Sequence, residues 1–226
     1  MLLNLLRSGD RLTIVIGFFA SVFIVFCSMP LHEYAHALVA TKLGDNTPRL
    51  QGRLTINPLA HIDWLGALMI LLLGFGYAKP VEVNVLKLKK PKRDMLLIAA
   101  AGPFTNLIMA NVFMLLRYIA IIIADRNGSS VVLDVCISFL YFATYINVIQ
   151  VVFNLLPIPP LDGSRVVSFF IPNKYYFKIM QYERILMIAI FALIFFGVLD
   201  VPLSFLYGVL MKAITFITSL PFRAFI

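Results

Sequence analysis

Trp64-Leu65-Gly66-Ala67-Leu68-Met69-Ile70-Leu71-Leu72-Leu73-Gly74-Phe75-Gly76-Tyr77-Ala78 is apolar from end to end, yet it is short for a membrane span. A helical crossing of about 30 Å of hydrocarbon takes about 20 residues, and apolar runs of about 10–14 rarely span. Gly66, Gly74 and Gly76 weaken it further as a helix. We read 64–78 as a re-entrant segment that enters and leaves on one face. Upstream of it, 49–63 is polar and alternates in a β-like way around Arg53-Leu54-Thr55-Ile56. Downstream, 79–93 is a basic loop holding six of the 19 Lys and Arg residues. With both flanks on one side, and with Arg117 and Lys212 set aside within spans, the basic residues divide 14 to 3, the three being Arg7, Arg11 and Arg126. If 64–78 crossed instead, the division would be 13 to 4. Cytosolic loops carry the Lys and Arg excess, so charge barely separates the two arrangements and segment length decides.

Longer apolar runs lie outward on both sides, at 12–43, 95–124, 131–156, 185–199 and 203–220. They predict an all-α polytopic membrane protein: about five transmembrane helices, a short re-entrant apolar segment and a small β-like loop. Composition agrees, at 61% hydrophobic, 13% charged and a mean hydropathy of +0.94 over 226 residues. A soluble domain is about 45–50% apolar and about 25% charged, so a water-soluble globule is excluded. Disorder and nucleic-acid binding are excluded on the same ground, because both need a polar, charge-rich chain. Cys27 and Cys136 lie in apolar runs with no CxxC pair, which reads as two small buried hydrophobes. The run after Arg11 is too long for a signal-peptide core and no small-residue cleavage site follows it, so none is expected.

Inside the first run stands His32-Glu33-Tyr34-Ala35-His36. Histidines four apart stack on one helix face, where both can reach a Zn²⁺ at about 2.0–2.1 Å. Glu33 points about 100° away around the axis, suited to a water beside the metal rather than to the metal itself. A carboxylate at the bilayer centre costs about 2.5–3.5 kcal/mol on insertion scales, which makes this Glu a functional candidate. A catalytic zinc takes three protein ligands and keeps one position open. Asp134 starts a span and Asp200 lies in a turn, whereas Asp162 follows Pro157, Pro159 and Pro160 at the broken end of a span. Those prolines forbid a regular helix, and irregular backbone at membrane depth is tolerated where it is buried in protein or lines a wet cavity. Asp162 is therefore the expected third ligand. Its competing role is the N-cap of a helix beginning Gly163-Ser164-Arg165.

With these residues in hand, the chain resembles the site-2 protease family of intramembrane zinc metalloproteases (peptidase family M50), in a short form without a PDZ domain. The resemblance rests on His32-Glu33-Tyr34-Ala35-His36, Ala101-Gly102-Pro103-Phe104-Thr105-Asn106, and Asn154-Leu155-Leu156-Pro157 leading to Leu161-Asp162-Gly163, with 50–63 as a further likeness. It implies one Zn²⁺ per chain held by His32, His36 and Asp162, with Glu33 as general base. It also implies that Asn154 hydrogen-bonds the substrate backbone or the oxyanion. The expected domain is single over 1–226, with a catalytic core at 12–170 and C-terminal helices at 171–226. The expected partners are a membrane-protein substrate and the lipid bilayer, with no nucleic acid. The expected setting is a prokaryotic plasma membrane, with the metal toward the cytosolic side. His36, seven residues before Leu43, would lie about 10 Å from that end of its helix. Apart from the resemblance, intramembrane His and Asp also fit an ion or metal transporter, and a non-catalytic membrane-protein binder is the third reading.

Several residues carry two readings. Asn106, His61 and Asn57 are candidates for substrate binding or for supporting the ligands. Against that, Asn106 with Gly102 and Pro103 suits close helix packing and an interhelical hydrogen bond, His61 suits a satisfied loop residue, and Asn57 suits a turn before Pro58. Arg165 reads as a partner of Asp162 or as loop charge. Trp64, Tyr175 and Tyr176 fit interfacial anchors. The β-like loop also offers an edge for strand addition by an unwound substrate.

Overall fold

The structure, a computed structural model, describes residues 11–73 and 78–222. Arg7, Gly74, Gly76 and Arg223 lie outside the described residues, as do the side chains of Tyr176 and Arg184.

The first long helix, α1 (Arg11–Lys42), is interrupted by a π turn at Ile24–Ser28. Its cause is local. Pro30 has no N–H to give the turn before it and its ring crowds that turn, and the helix responds by widening, so that Met29 N–H bonds the Ile24 carbonyl. The helix stops at Gly44, whose φ of +110° suits glycine, with the Asp45 N–H bonding back to the Ala40 carbonyl. Asp45 is fully buried and clips two loops together, accepting from the Thr47 N–H at 2.9 Å and the Asn84 N–H at 2.7 Å. Burial pushes its carboxyl pKa up. The bonds from Thr47 and Asn84 and the charge of Lys87 outweigh that and hold it below the usual carboxylate range.

The short apolar segment contributes α2 (Trp64–Leu73), only ten residues long. Beyond it, α3 (Pro91–Asn127) starts with proline where no N–H is needed. The Asp94 carboxylate accepts the free Lys90 N–H at 2.8 Å. At 37 residues, or about 55 Å, α3 is much longer than the hydrocarbon it would cross. It is followed by α4 (Val131–Asn154), capped by Ser130, then α5 (Asp162–Ser168), α6 (Asn173–Met180), α7 (Glu183–Phe195) and α8 (Asp200–Ser219).

The all-α polytopic expectation holds. Among the described residues four helices are long and apolar enough to cross a membrane, namely α1, α3, α4 and Asp200–Phe222, which contains α8. The fifth expected span, 185–199, is shorter than the sequence implied. It is the 13-residue α7, about 20 Å long, ended by Gly197 at φ +72°. The β-like loop is a correction: no strand exists among the described residues. Residues 47–60 hold a helical turn at Thr47–Leu50 and a 3₁₀ turn at Pro58–Ala60. Side chains take the bonds a neighbouring strand would have taken. Arg53 donates to the Ala60 carbonyl, and His61 Nε2 bonds the Thr55 carbonyl at 2.7 Å. With no strand there, the expected strand-addition edge is absent from that loop.

The core is a seam between α1, α3 and α4. Ala20 and Ile24 meet Phe113, Ala143 and Ile146 in one cluster, and Ala110, Met114, Val148 and Val152 meet Ile214 of α8 in another. Small residues at the crossings let these helices approach closely. Phe19, Phe104, Phe205 and Phe216 face outward and exposed, as expected of surfaces solvated by lipid.

Candidate metal centre

The site forms where two helices depart from regular winding. Just after the π turn of α1, His32 and His36 stand on successive turns, both buried. Between α4 and α5 the prolines break the helix, and the chain turns back so that Asp162 faces the two imidazoles. That return depends on Gly163: a Cβ there would collide with the Leu155 and Leu156 carbonyls. Asp162 is the first residue of α5, and the N-cap position is Leu161 with no side-chain bond. The capping reading of Asp162 therefore gives way, because its carboxylate turns to the histidines instead.

The geometry suits a metal. His32 Nε2 and His36 Nε2 lie 3.1 Å apart, and each is 3.3 Å from Asp162 Oδ2. A tetrahedral zinc with bonds of about 2.0–2.1 Å needs ligand atoms separated by about 1.63 bond lengths, or about 3.3–3.4 Å. The three donors thus match one face of the tetrahedron and leave a fourth corner open. The supporting contacts agree. His36 Nδ1 meets the Ile98 carbonyl at 2.7 Å; donating there puts the proton on Nδ1 and keeps the Nε2 lone pair for a metal. Gly102 on α3 abuts the donor tips of both rings, where a Cβ would strike Nε2 of His36 and Nε2 of His32. The glycine is what lets α3 pass the donor triangle so closely.

A cavity of about 290 Å³ opens beside the triangle, lined among others by Glu33, Asn106, Gln150, Asn154, Arg165 and Glu183. Glu33 is buried yet faces this cavity, so Glu33, the donor triangle and Asn154 share one space. Asp162 pairs with both His32 and His36; Arg165 lines the cavity without pairing to Asp162. Asn106 packs between helices and donates to Gln150 Oε1 at 2.8 Å. Asn57 and His61 do not line the cavity. Asn57 accepts from the Leu59 N–H as cap of its 3₁₀ turn, and His61 is fully buried on the Thr55 carbonyl. Sequence reading missed Gln150 and Glu183. Gln150 could have been found, for it lies one helical turn before Asn154 on the same face of α4; Glu183 sits at the start of α7 with no such signal.

The family described as Peptidase family M50 matches residues 116–197, which include Asn154 and Asp162. A Bacillus subtilis protein is 40% identical over 164 residues, covering 72% of this chain and 74% of its own length; its name is "Putative zinc metalloprotease YwhC". The chain belongs to peptidase family M50. Two further relatives are likewise named putative zinc metalloproteases. Rip2 of Mycolicibacterium smegmatis is 34% identical over 142 residues, 60% of this chain and 51% of its own. MJ0611 of Methanocaldococcus jannaschii is 30% identical over 158 residues, 68% of this chain and 72% of its own. No solved structure matches. This M50 chain is a zinc metalloprotease. Membership implies zinc, and His32, His36 and Asp162 are the donor group among the described residues that fits it.

Proposed function

We propose that the chain is an intramembrane endopeptidase, hydrolysing peptide bonds within or near the membrane-spanning segments of other membrane proteins in the manner of regulated intramembrane proteolysis. One observation carries this reading: the donor triangle and a buried Glu33 share a cavity along α1, a 32-residue helix apolar enough to cross a bilayer. Zinc bound by His32, His36 and Asp162, one ion per chain, would supply Lewis acidity toward a water and a scissile carbonyl.

The protein's own groups then divide the work. Glu33 takes the proton of the attacking water as a new C–O bond forms, and passes it to the departing amine as the C–N bond breaks. Asn154, at the end of α4, offers its amide to the carbonyl oxygen as charge gathers there. The substrate segment must first unwind, because a membrane helix spends its carbonyls on internal hydrogen bonds. The bacterial and archaeal origin of the relatives supports a prokaryotic cell membrane, and the shortness of 64–78 as a span supports a site toward the cytosol.

The test uses the purified full chain and a membrane-protein reporter. Wild type should carry about one zinc, and His32→Ala should lose it. Glu33→Gln should keep the zinc while cleavage falls by about 10²–10⁴-fold. Wild-type cleavage rates from Glu33→Gln would refute the hydrolytic assignment, and undiminished zinc in His32→Ala would refute the ligand set.

A further inference from the structure

One wall of the cavity is used neither by the donor triangle nor by Glu33. Asn106 of α3 is fully buried and spends its Nδ2 on Oε1 of Gln150 in α4, and both residues line the cavity. That bond fixes what is left over. Asn106 retains Oδ1, buried and without a partner among the described residues, and Gln150 retains its Nε2 donor. Reversing both amides would exchange the roles and still leave one acceptor beside one donor. A buried polar atom left unpaired costs about 1–3 kcal/mol, a cost that an incoming ligand of matching chemistry removes.

The matching chemistry is an extended peptide backbone. In a hydrogen-bonded antiparallel pair one residue gives its N–H and C=O to the same neighbour, so an adjacent acceptor and donor answer a single residue of extended chain. The wall is also well placed. Asn106 lies one turn beyond Gly102, which abuts the histidines' Nε2 atoms, and Gln150 lies one turn before Asn154. One turn is about 5.4 Å, or one to two residues of extended chain from the metal site. We propose that the Asn106–Gln150 amide pair holds the main chain of one unwound substrate residue beside the scissile bond. The two are positioning residues that read conformation rather than side chain: an intact helix has its N–H and C=O groups already spent, and only a segment that opens can engage them. This rests on the reading of the cavity as a peptide-hydrolysing site.

The experiment measures binding and turnover separately. In the zinc-loaded Glu33→Gln chain in detergent micelles, a fluorescent peptide copied from a membrane segment with a Gly-Pro-rich centre is titrated and followed by anisotropy. Gln150→Leu and Asn106→Leu should each weaken binding about fivefold to tenfold. Gln150→Glu, the same size and still able to accept from Asn106, carries the test if a leucine variant fails to fold. Replacing single peptide amides of the probe by esters should reveal one position whose loss weakens binding to the parent chain but not to Asn106→Leu. With Glu33 restored, KM should rise by a similar factor while kcat changes less than about twofold and zinc content stays constant. Unchanged binding, a fall in kcat at constant KM, or lost zinc would each overturn the proposal. Failure of the protease reading would look different, since wild type would then bind the probe without cutting any peptide.

Discussion

At the corner where α1, α3 and α5 meet, an added methyl group has nowhere to go; along α8 the same group meets open space. Gly102 and Gly163 abut, respectively, the imidazoles of the site and the carbonyls of Leu155 and Leu156, whereas Gly208 has no heavy atom within 4 Å of its missing Cβ. Burial follows the same contrast. His32, Glu33 and His36 are each under a tenth exposed, while among the described side chains of α8 those buried are Ile214 and Thr218. Packing precision in this molecule is concentrated where donor atoms must keep a fixed spacing, and relaxes where a helix need only present apolar surface.

The sharpest way to break that contrast is Gly102→Ala. The new Cβ would displace both imidazoles, and because their spacing is what fits the ion, zinc affinity should fall about 10–100-fold in a chelator competition, as it does for lost supporting contacts. An unchanged affinity would mean that α3 withdraws freely, and the corner would not be tightly packed after all.

A smaller effect is expected at the loop clip beside the corner. Asp45→Asn keeps one acceptor where two backbone N–H groups now share a carboxylate, and should cost about 1.5–3 kcal/mol of stability at neutral pH. The sign of its pH dependence follows from a folded-state pKa held below the usual 3.8. The carboxylate's contribution is complete above that value and is lost as the pH falls below it. Thermal melts of wild type and Asp45→Asn should therefore differ at pH 7 and converge only as the pH falls below 3.8. A gap that widened toward acid would contradict the assignment.

The smallest effect belongs to Gly208→Ala. Open space and a helical backbone predict no loss of zinc and a stability change of about 0.5–1 kcal/mol in favour of alanine. A strongly destabilised variant would show that something unseen packs on α8.

The parts of this protein legible in its sequence are those where polarity stands out against an apolar background. His32, Glu33 and His36 in a long apolar run, and Asp162 after three prolines, announce themselves because their burial would otherwise be costly. What could not be read depends on which faces meet in space. Nothing in the sequence says that Gly102 abuts the histidines rather than another helix, or that Glu183 of α7 reaches the same cavity. The alternation at Arg53-Leu54-Thr55-Ile56 misleads for a different reason. Period two describes a strand only if a neighbouring backbone takes up its N–H and C=O groups, and here Arg53 and His61 supply local side-chain partners for the loop's carbonyls.

The wide turn at Ile24–Ser28 has a further consequence for how α1 can diverge among relatives. One extra residue wound into a helix advances everything beyond it by about 100° about the axis. The half that carries Ala20 and the half that carries the imidazoles are thereby out of phase, and each meets its own neighbours. Substitutions that re-aim the half carrying Ala20 against α4 should therefore leave the orientation of the two imidazoles untouched, so the two ends of this rod answer to separate packing constraints.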